Sequence, residues 1–308
     1  MDDSYFVLNV RQEQHRAQFN FDAIPLTRIC KISMYGRGGT TLMFTTRISS
    51  KKLGEGVVEA HKDFVKESPT FFAFFKKENR SKNLKQDGSH LTVFLYDYSR
   101  VVLSGGDGDY YHASYVDGCV KKNQYIMAQA PFDSDTQADF FRMLSQVQID
   151  ALVVMGDPSD ETFKFLFPED GTYGDVSVRI ESGDEAEGYV LRNLTVNKVE
   201  LKAYCITSWT VDSEPPKGFL GIHEKIRSAI GLNLKNALML ICKDGCARSG
   251  LFCLLDTESE RLRTKGRLRF TETVKHIRFH RSNCFDTQEL FEAGWSMVME
   301  LAKQKKSP

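Results

Sequence analysis

The chain has 308 residues, of which 41% are apolar and 27% are charged, with 41 basic and 41 acidic side chains. This length and composition are typical of a globular protein with one large domain or two small ones. The balanced charge gives no support for a general affinity for nucleic acid or for a membrane surface. We find no apolar stretch near the ~20 residues that a membrane-spanning helix needs, so no membrane span is predicted.

The seven cysteines lie at irregular spacings in a long chain, which is not the pattern of a disulfide framework. They indicate reduced thiols and a cytoplasmic location. We find no Cys-x-x-Cys pair and no histidine at zinc-ligand spacing from a cysteine. The sequence therefore predicts no metal site and no cofactor.

The N-terminal region predicts a β-hairpin. The segment RICKISMYGRGGTTLMFTTRI (28–48) contains two strand-like runs around the turn sequence GRGG. The segment GEGVVEAHKDFVKES (54–68) has apolar residues at helical spacing and ends before a proline, so it predicts a helix.

From residue 133 onward, the patterns of helices and strands alternate. Apolar periodicity with terminal Pro, Gly and capping residues predicts helices over 133–148, 215–231, 248–266, 270–282 and 286–304. Continuous or alternating apolar runs predict strands over 150–157, 176–182, 188–200, 203–211 and 237–242. Interleaved elements of this kind favour an α/β or α+β domain with a mixed sheet. In the helix over 270–282, Arg278 and Arg281 are predicted to lie on a solvated basic face.

The segment LICKDGCARSGLF (240–252) joins a predicted strand to a predicted helix. Backbone N–H groups at a helix N-terminus can surround a dianion, and Arg248 can bind two of its oxygens. The same field would lower the pKa of Cys242 and make it a nucleophile, with Ser249 donating to its sulfur. A Cys-x₅-Arg pattern also occurs by chance around buried cysteines, so the flanking strand and helix carry this interpretation.

Beyond this loop, the chain resembles the protein tyrosine phosphatases over residues 55–304. The motifs that carry the resemblance are ENRSKN (78–83), YDYSRVVL (96–103), DGDYYHASYVDGCVKKNQYIMAQAP (107–131) and SWTVDSEPP (208–216). The resemblance implies an α/β fold with a twisted mixed central sheet and helices on both sides. It divides the chain into an N-terminal extension (1–54), a phosphatase-like domain (55–304) and a tail (305–308).

The resemblance makes Cys242 the nucleophile and Arg248 the phosphate-binding arginine. It implies a phosphate-binding loop of Cys242, Lys243, Asp244, Gly245, Cys246, Ala247 and Arg248. The chain departs from the family pattern here: Ile241, just before the loop, replaces a histidine, and Lys243 and Asp244 replace small residues. At ~6 Å and an effective dielectric constant of ~20, the Asp244 carboxylate would repel a bound charge by about 2–3 kcal/mol. Cys246 is expected to fill a hydrophobic position, with a reversible disulfide to Cys242 as the alternative.

The catalytic acid of the family is also displaced. After the loop tryptophan, Trp209, the acid position is Val211, and Asp212 lies one residue further on. Loss of a positioned acid typically lowers a rate by 10²–10⁴-fold. The implied substrate-binding positions fall on Ser81, Asn83, Trp209 and Asp286. Ser81 replaces an aromatic residue and Asp286 replaces the glutamine that positions water.

Three functions remain open on these residues. The pattern favours a catalytically inactive or severely impaired phosphatase, a pseudophosphatase, that binds phosphotyrosine-containing or acidic proteins and regulates phosphotyrosine signalling. The first alternative is an active enzyme that forms a phosphocysteine on Cys242, with Asp212 as its acid or with substrates whose leaving groups need none. The second alternative is an interaction scaffold that binds no phosphate. A monomer is expected in each case.

Overall fold

The computed structural model describes residues 29–35, 41–47, 95–96, 98–106, 108–210 and 214–304. They fall into two compact units. The terminal unit comprises the described parts of Met1–Pro69, Leu254–His276 and Asp286–Pro308. The sheet unit comprises the described parts of Thr70–Cys253 and Ile277–Phe285.

The terminal unit contains the predicted hairpin. Strand β1 (Ile29–Tyr35) pairs antiparallel with β2 (Thr41–Arg47), with Ile29 opposite Arg47. The strands of the predicted hairpin are therefore confirmed. Its turn and the predicted helix over 54–68 lie outside the described residues.

A nine-stranded mixed sheet forms the centre of the sheet unit. Its strands are β3 (Arg100–Val102), β4 (Tyr110–Val116), β5 (Tyr125–Gln129), β6 (Ile149–Val154), β7 (Gly171–Tyr173), β8 (Val176–Ala186), β9 (Tyr189–Val196), β10 (Val199–Cys205) and β11 (Ala237–Cys242). The spatial order is β3-β4-β5-β11-β6-β10-β9-β8-β7. The four central strands, β5, β11, β6 and β10, run parallel, and the outer pairs are antiparallel.

The predicted strand over 188–200 is wrong, because the chain reverses within it. Asn197 and Lys198 both have positive φ, 47° and 76°, and they form the two-residue turn between β9 and β10. Positive φ at both central positions is the geometry of a hairpin turn that matches the twist of its strands. Strands β4 and β5 were not predicted from the sequence pattern.

The helices are α1 (Ser134–Gln146), α2 (Phe219–Ile230), α3 (Ala247–Lys265), α4 (Phe270–His280) and α5 (Gln288–Gln304). All five predicted helices are confirmed, with ends shifted by a few residues. Asp133 begins α1 with a capping box, because its carboxylate accepts from Thr136 N–H while the Thr136 hydroxyl accepts from Asp133 N–H. Among the described residues, no helix is both long enough and apolar enough to cross a bilayer.

Strand β11 is buried on both faces. Ala237, Met239 and Ile241 belong to a core cluster that also contains Phe140 and Phe141 of α1. The alternate residues Leu238, Leu240 and Cys242 point to the opposite face and are also buried. The sheet is therefore covered on both sides, and the expected fold class, a mixed central sheet flanked by helices, is confirmed.

Within the terminal unit, a buried carboxylate connects α3 to α4. Glu258 of α3 is fully buried and accepts from Arg261 Nε at 2.9 Å and from the backbone N–H of Arg269 at 2.6 Å. The Thr273 hydroxyl of α4 also donates to it. A buried charge needs partners of this kind, so these bonds fix the connection from α3 to α4.

Gly245 lies at the carboxyl end of β11, where the chain passes close to β5. Its φ is +62°, and a Cβ built there would lie 2.4 Å from the carbonyl carbon of Ala128 and from the backbone N of Gln129. Both atoms belong to the backbone of a central strand, so they cannot move aside cheaply. Only glycine fits at this position.

We expect Gly245→Ala to lower the free energy of unfolding by at least about 2–3 kcal/mol, because strain at positive φ adds to a clash with backbone. Gly218→Ala is the matched control, since Gly218 also has positive φ (+75°) but no atom within 4 Å of the place that a Cβ would take. It should cost about 1 kcal/mol. Chemical denaturation of both variants measures the difference, and equal losses would contradict the close approach.

Candidate functional site

The loop after β11 begins at Cys242 and runs directly into α3. The Cys242 carbonyl accepts from the backbone N–H of Ala130 at 3.0 Å and from that of Gly245 at 3.2 Å. These bonds close a tight turn at the carboxyl end of a parallel strand and at the N-terminus of a long helix. The backbone N–H groups of the first helical turn are therefore available to an anion, as the sequence predicts.

The anion at this helix terminus is the side chain of Asp244. Its Oδ1 accepts from the backbone N–H of Cys246 at 2.9 Å and from that of Ala247 at 3.2 Å. The thiol of Cys242 donates to the same oxygen at 3.1 Å. The sequence predicts Asp244 beside a bound dianion. In the structure, its carboxylate accepts hydrogen bonds from backbone N–H groups that would otherwise be available to that dianion.

The thiol of Cys242 is held in its neutral form. It is 1% exposed, and burial together with the Asp244 charge raises the pKa of Cys242 to about 12. The Ser249 hydroxyl donates to the sulfur at 3.1 Å and acts in the opposite direction, but it does not compensate. The expectation that the loop lowers this pKa is therefore wrong, because the field of the backbone amides falls on a carboxylate rather than on the sulfur.

Arg248 lies on the first turn of α3 and points back under the loop. Its Nη1 donates to the carbonyl of Met155 at 2.8 Å and to the carbonyl of Trp209 at 3.1 Å. The guanidinium carbon lies 5.7 Å from the centre of the Trp209 ring, which is itself buried against Phe219. The structure therefore brings Arg248 and Trp209 together, as the sequence predicts for residues of one site.

Arg281 is a site residue that the sequence analysis missed. It was predicted on a solvated face, but it is 0% exposed. Its Nε donates to the Gly245 carbonyl at 3.0 Å, its Nη2 to the Asp244 carbonyl at 3.0 Å and its Nη1 to the Ser114 hydroxyl at 3.3 Å. Arg281 therefore holds the loop through two of its backbone carbonyls.

The other predicted site residues are distributed as follows. Lys243 is exposed and Ala247 is partly buried at the start of α3. Asp286 lies in the terminal unit and is partly buried. The predicted residues outside the described part of the chain are Ser81, Asn83 and Asp212.

A second acidic side chain, Asp160, lies within the electrostatic influence of the positive charges of the loop. Asp160 caps the short 3₁₀ helix Glu161–Phe163, and hydrogen bonds to Thr162 hold its pKa below the usual value. The positive charges of Arg248 and Lys243 lower it further. The positive charges of Arg248 and Lys243 thus lie near carboxylates, and a bound phosphate would compete with those carboxylates for the same positive charges.

Comparisons with known proteins identify the class. The family model described as protein-tyrosine phosphatase matches residues 83–300, which is more than half of the chain. The chain therefore belongs to the protein tyrosine phosphatase family. The match contains the whole nine-stranded sheet and the loop from Cys242 to Arg248.

Several receptor phosphatases are similar to the chain. Human receptor-type tyrosine-protein phosphatase alpha is 28% identical over 239 residues, which cover 72% of this chain and 30% of that protein. Tyrosine-protein phosphatase Lar-like of Caenorhabditis elegans is 30% identical over 237 residues, which cover 70% of this chain and 11% of that protein. The chain thus spans less than a third of the length of these relatives.

Alkylation of Cys242 tests the site geometry. With a pKa of about 12, on the order of one molecule in 10⁴ to 10⁵ carries the Cys242 thiolate near pH 7.5. We expect iodoacetamide to label this thiol far more slowly than the half-buried Cys119, as followed by peptide mass spectrometry. Asp244→Asn removes the nearby charge and lowers the pKa, so labelling of Cys242 should accelerate about tenfold per pKa unit while that of Cys119 stays constant. Rapid labelling of wild-type Cys242 would contradict the site as described.

Proposed function

We propose that this chain is a catalytically inactive member of the protein tyrosine phosphatase family that acts by binding other proteins. One observation carries the proposal: the Asp244 carboxylate accepts hydrogen bonds from Cys246 N–H, Ala247 N–H and the Cys242 thiol. A family enzyme needs those amides for the phosphoryl oxygens and the thiol as a thiolate. Here the Asp244 side chain accepts hydrogen bonds from those amides and from the thiol.

The position of the catalytic acid supports the proposal independently. The sequence has Val211 where the resemblance implies an aspartate, and a valine side chain cannot donate a proton. The leaving tyrosine oxygen would receive no proton from this position, and loss of a positioned general acid typically costs 10²–10⁴-fold in rate. A thiolate that attacks phosphorus and an acid that protonates the leaving oxygen are both needed for phosphoryl transfer to Cys242, so restoring one does not restore turnover.

A second candidate function is recognition of phosphotyrosine without hydrolysis. The hydrogen bonds of Arg248 involve Nη1, and within the described residues we find no partner for its Nε and Nη2. These groups could bind two oxygens of a phosphate if the Asp244 side chain turned away. Such binding would have to displace three hydrogen bonds to Asp244, so it would be weak.

Regulation of phosphotyrosine signalling and a cytoplasmic location complete the proposal. The similar proteins are named as receptor-type or Lar-like tyrosine phosphatases, and these names support a role in signalling. Six cysteines of the described residues are free thiols, which suits a reducing compartment. For a protein that only binds other proteins, the partner we propose is an unphosphorylated protein surface. For the second candidate, recognition of phosphotyrosine, the partner is a phosphorylated or acidic protein.

Oxyanion binding and turnover test the proposal together. We expect no release of phosphate from phosphotyrosine peptides, and no measurable vanadate binding by calorimetry, for the unmodified chain. Asp244→Ala should strengthen vanadate binding by tenfold or more, because it frees two amides and removes about 2–3 kcal/mol of repulsion. Peptide hydrolysis should remain undetectable in this variant.

Two controls separate the outcomes. Asp160→Ala also removes a carboxylate that feels the charge of Arg248, but it frees no loop amide, so its vanadate affinity should change by less than that of Asp244→Ala. Arg248→Met in the Asp244→Ala background should abolish the gain. Efficient peptide turnover by the unmodified chain that is lost in Cys242→Ser would refute the proposal. Tight phosphopeptide binding without turnover would favour the second candidate.

A further inference from the structure

Two buried cysteines contact each other where the loop meets the turn that follows α4. Cys246 Sγ lies 3.2 Å from Cys284 Sγ, and the two residues are 2% and 0% exposed. Cys246 belongs to the loop before α3, and Cys284 belongs to the turn that follows α4. The catalytic chemistry of the family uses neither sulfur, so this dithiol has no role in the site described above.

Other interactions hold the loop and the turn together. Arg281 donates to two loop carbonyls, those of Asp244 and Gly245, both at 3.0 Å. Arg278 Nη1 donates to the Cys284 carbonyl at 3.1 Å. Because these bonds position both backbones, the sulfur contact does not have to create the proximity. A disulfide bond of ~2.05 Å requires the two sulfurs to approach by only about 1 Å.

The turn that carries Cys284 has a special backbone. Asn283 and Phe285, its two neighbours in sequence, both have positive φ, 61° and 62°. Non-glycine residues adopt such angles only where the surrounding structure requires them. The turn therefore presents the Cys284 sulfur to Cys246 at a cost in backbone strain.

We propose that Cys246 and Cys284 form a redox modification site, a dithiol that peroxide converts into a disulfide between the loop and the turn. One thiol attacks hydrogen peroxide, which breaks the O–O bond and gives a sulfenic acid and water. The second thiol then attacks the sulfenic sulfur, the S–S bond forms, and a second water leaves. In total the two thiols lose two protons and two electrons, and one peroxide is reduced to two waters.

The pairing of these two sulfurs decides which disulfide forms. The hydrogen bond between the two thiols and burial raise the pKa of Cys246 well above the usual value, so the first step is slow at neutral pH. Once a sulfenic acid forms on either residue, the partner sulfur is already in contact. The thiol of Cys242 is directed instead to Asp244 and Ser249. We therefore expect Cys246 to pair with Cys284 rather than with Cys242, the alternative considered from the sequence.

A disulfide at this place would fix the loop in the conformation that the hydrogen bonds of Asp244 stabilise. It links two segments 38 residues apart, and closing such a loop in the unfolded chain should raise the melting temperature by about 5 °C or more. In a reducing compartment the pair rests as two thiols, and only oxidation joins them. This inference does not depend on whether the chain hydrolyses phosphotyrosine.

Oxidation of the full chain with hydrogen peroxide, followed by non-reducing peptide mass spectrometry, tests the site. We expect a linked peptide pair that contains Cys246 and Cys284, with a mass about 2 Da below the sum of the two thiol peptides, and its loss on treatment with dithiothreitol. The partly exposed Cys119 serves as the internal gauge of oxidant exposure. The test uses the unmutated protein, so it does not rely on a variant that folds.

Three variants sharpen the result. Cys284→Ser should lose both the linked peptide and the rise in melting temperature, whereas Cys242→Ser and Cys205→Ser should retain both. A Cys242–Cys246 link in the unmutated protein would overturn the proposal. So would the absence of any Cys246–Cys284 link after Cys119 has been completely oxidised. Loss of the link in Cys242→Ser would also overturn it, because Cys242 would then be the first thiol oxidised.

Discussion

The hydrogen bonds between the Asp244 carboxylate and the backbone of its own loop determine the state of this site. A helix N-terminus at the end of a parallel strand offers unpaired N–H groups and a partial positive charge, and some acceptor must satisfy them. In this chain the acceptor is covalently part of the loop, so it is present at high effective concentration and needs no binding step. Any external oxyanion has to displace it and also tolerate its charge.

The position of Cys242 shows how the surroundings of a thiol can oppose its ionisation. The alternation along β11 directs Ile241 into the core cluster and Cys242 to the opposite face, at the base of the loop. The sulfur lies at the carboxyl end of a central parallel strand and at the start of a loop that leads into α3. Electrostatically its environment is reversed, since the nearest charge is an anion and the pKa of the thiol is raised. The place of this thiol in the fold therefore does not by itself make it a thiolate.

Much of the fold could be predicted from local pattern. The run ALMLIC is long enough and apolar enough to indicate a buried central strand, and Gly266 with φ +62° ends α3 where the sequence places its stop. The turn at Asn197 and Lys198 could not be predicted, because it contains no glycine or proline and lies within an alternating run. Strand β4 (YYHASYV) is buried at His112 and Ser114 as well as at its apolar positions, so it shows no alternation of apolar and polar residues, and β5 is only five residues long.

The site was predictable in its composition but not in its electrostatics. The spacing of Cys242 and Arg248 around a strand and a helix is enough to place them in one loop. The direction of the Asp244 side chain depends on the backbone of Gly245 and on Arg281, which contacts that glycine from 36 residues away in the sequence. Long-range contacts of this kind leave no local signal. The same reason explains why Arg281 resembles a surface arginine in the sequence and is buried in the structure.

The two carbonyl bonds of Arg248 have a mechanical consequence. Its Nη1 joins the end of β6, at Met155, to the Trp209 segment, so one guanidinium clamps two separate stretches of chain to the base of α3. A protein that grips the Trp209 segment and draws it outward would release one of these clamps. By thermodynamic reciprocity, anything that re-orients Arg248 would alter the grip of that protein by the same factor. Through Arg248, the orientation of a side chain of the loop and the position of the Trp209 segment are therefore coupled.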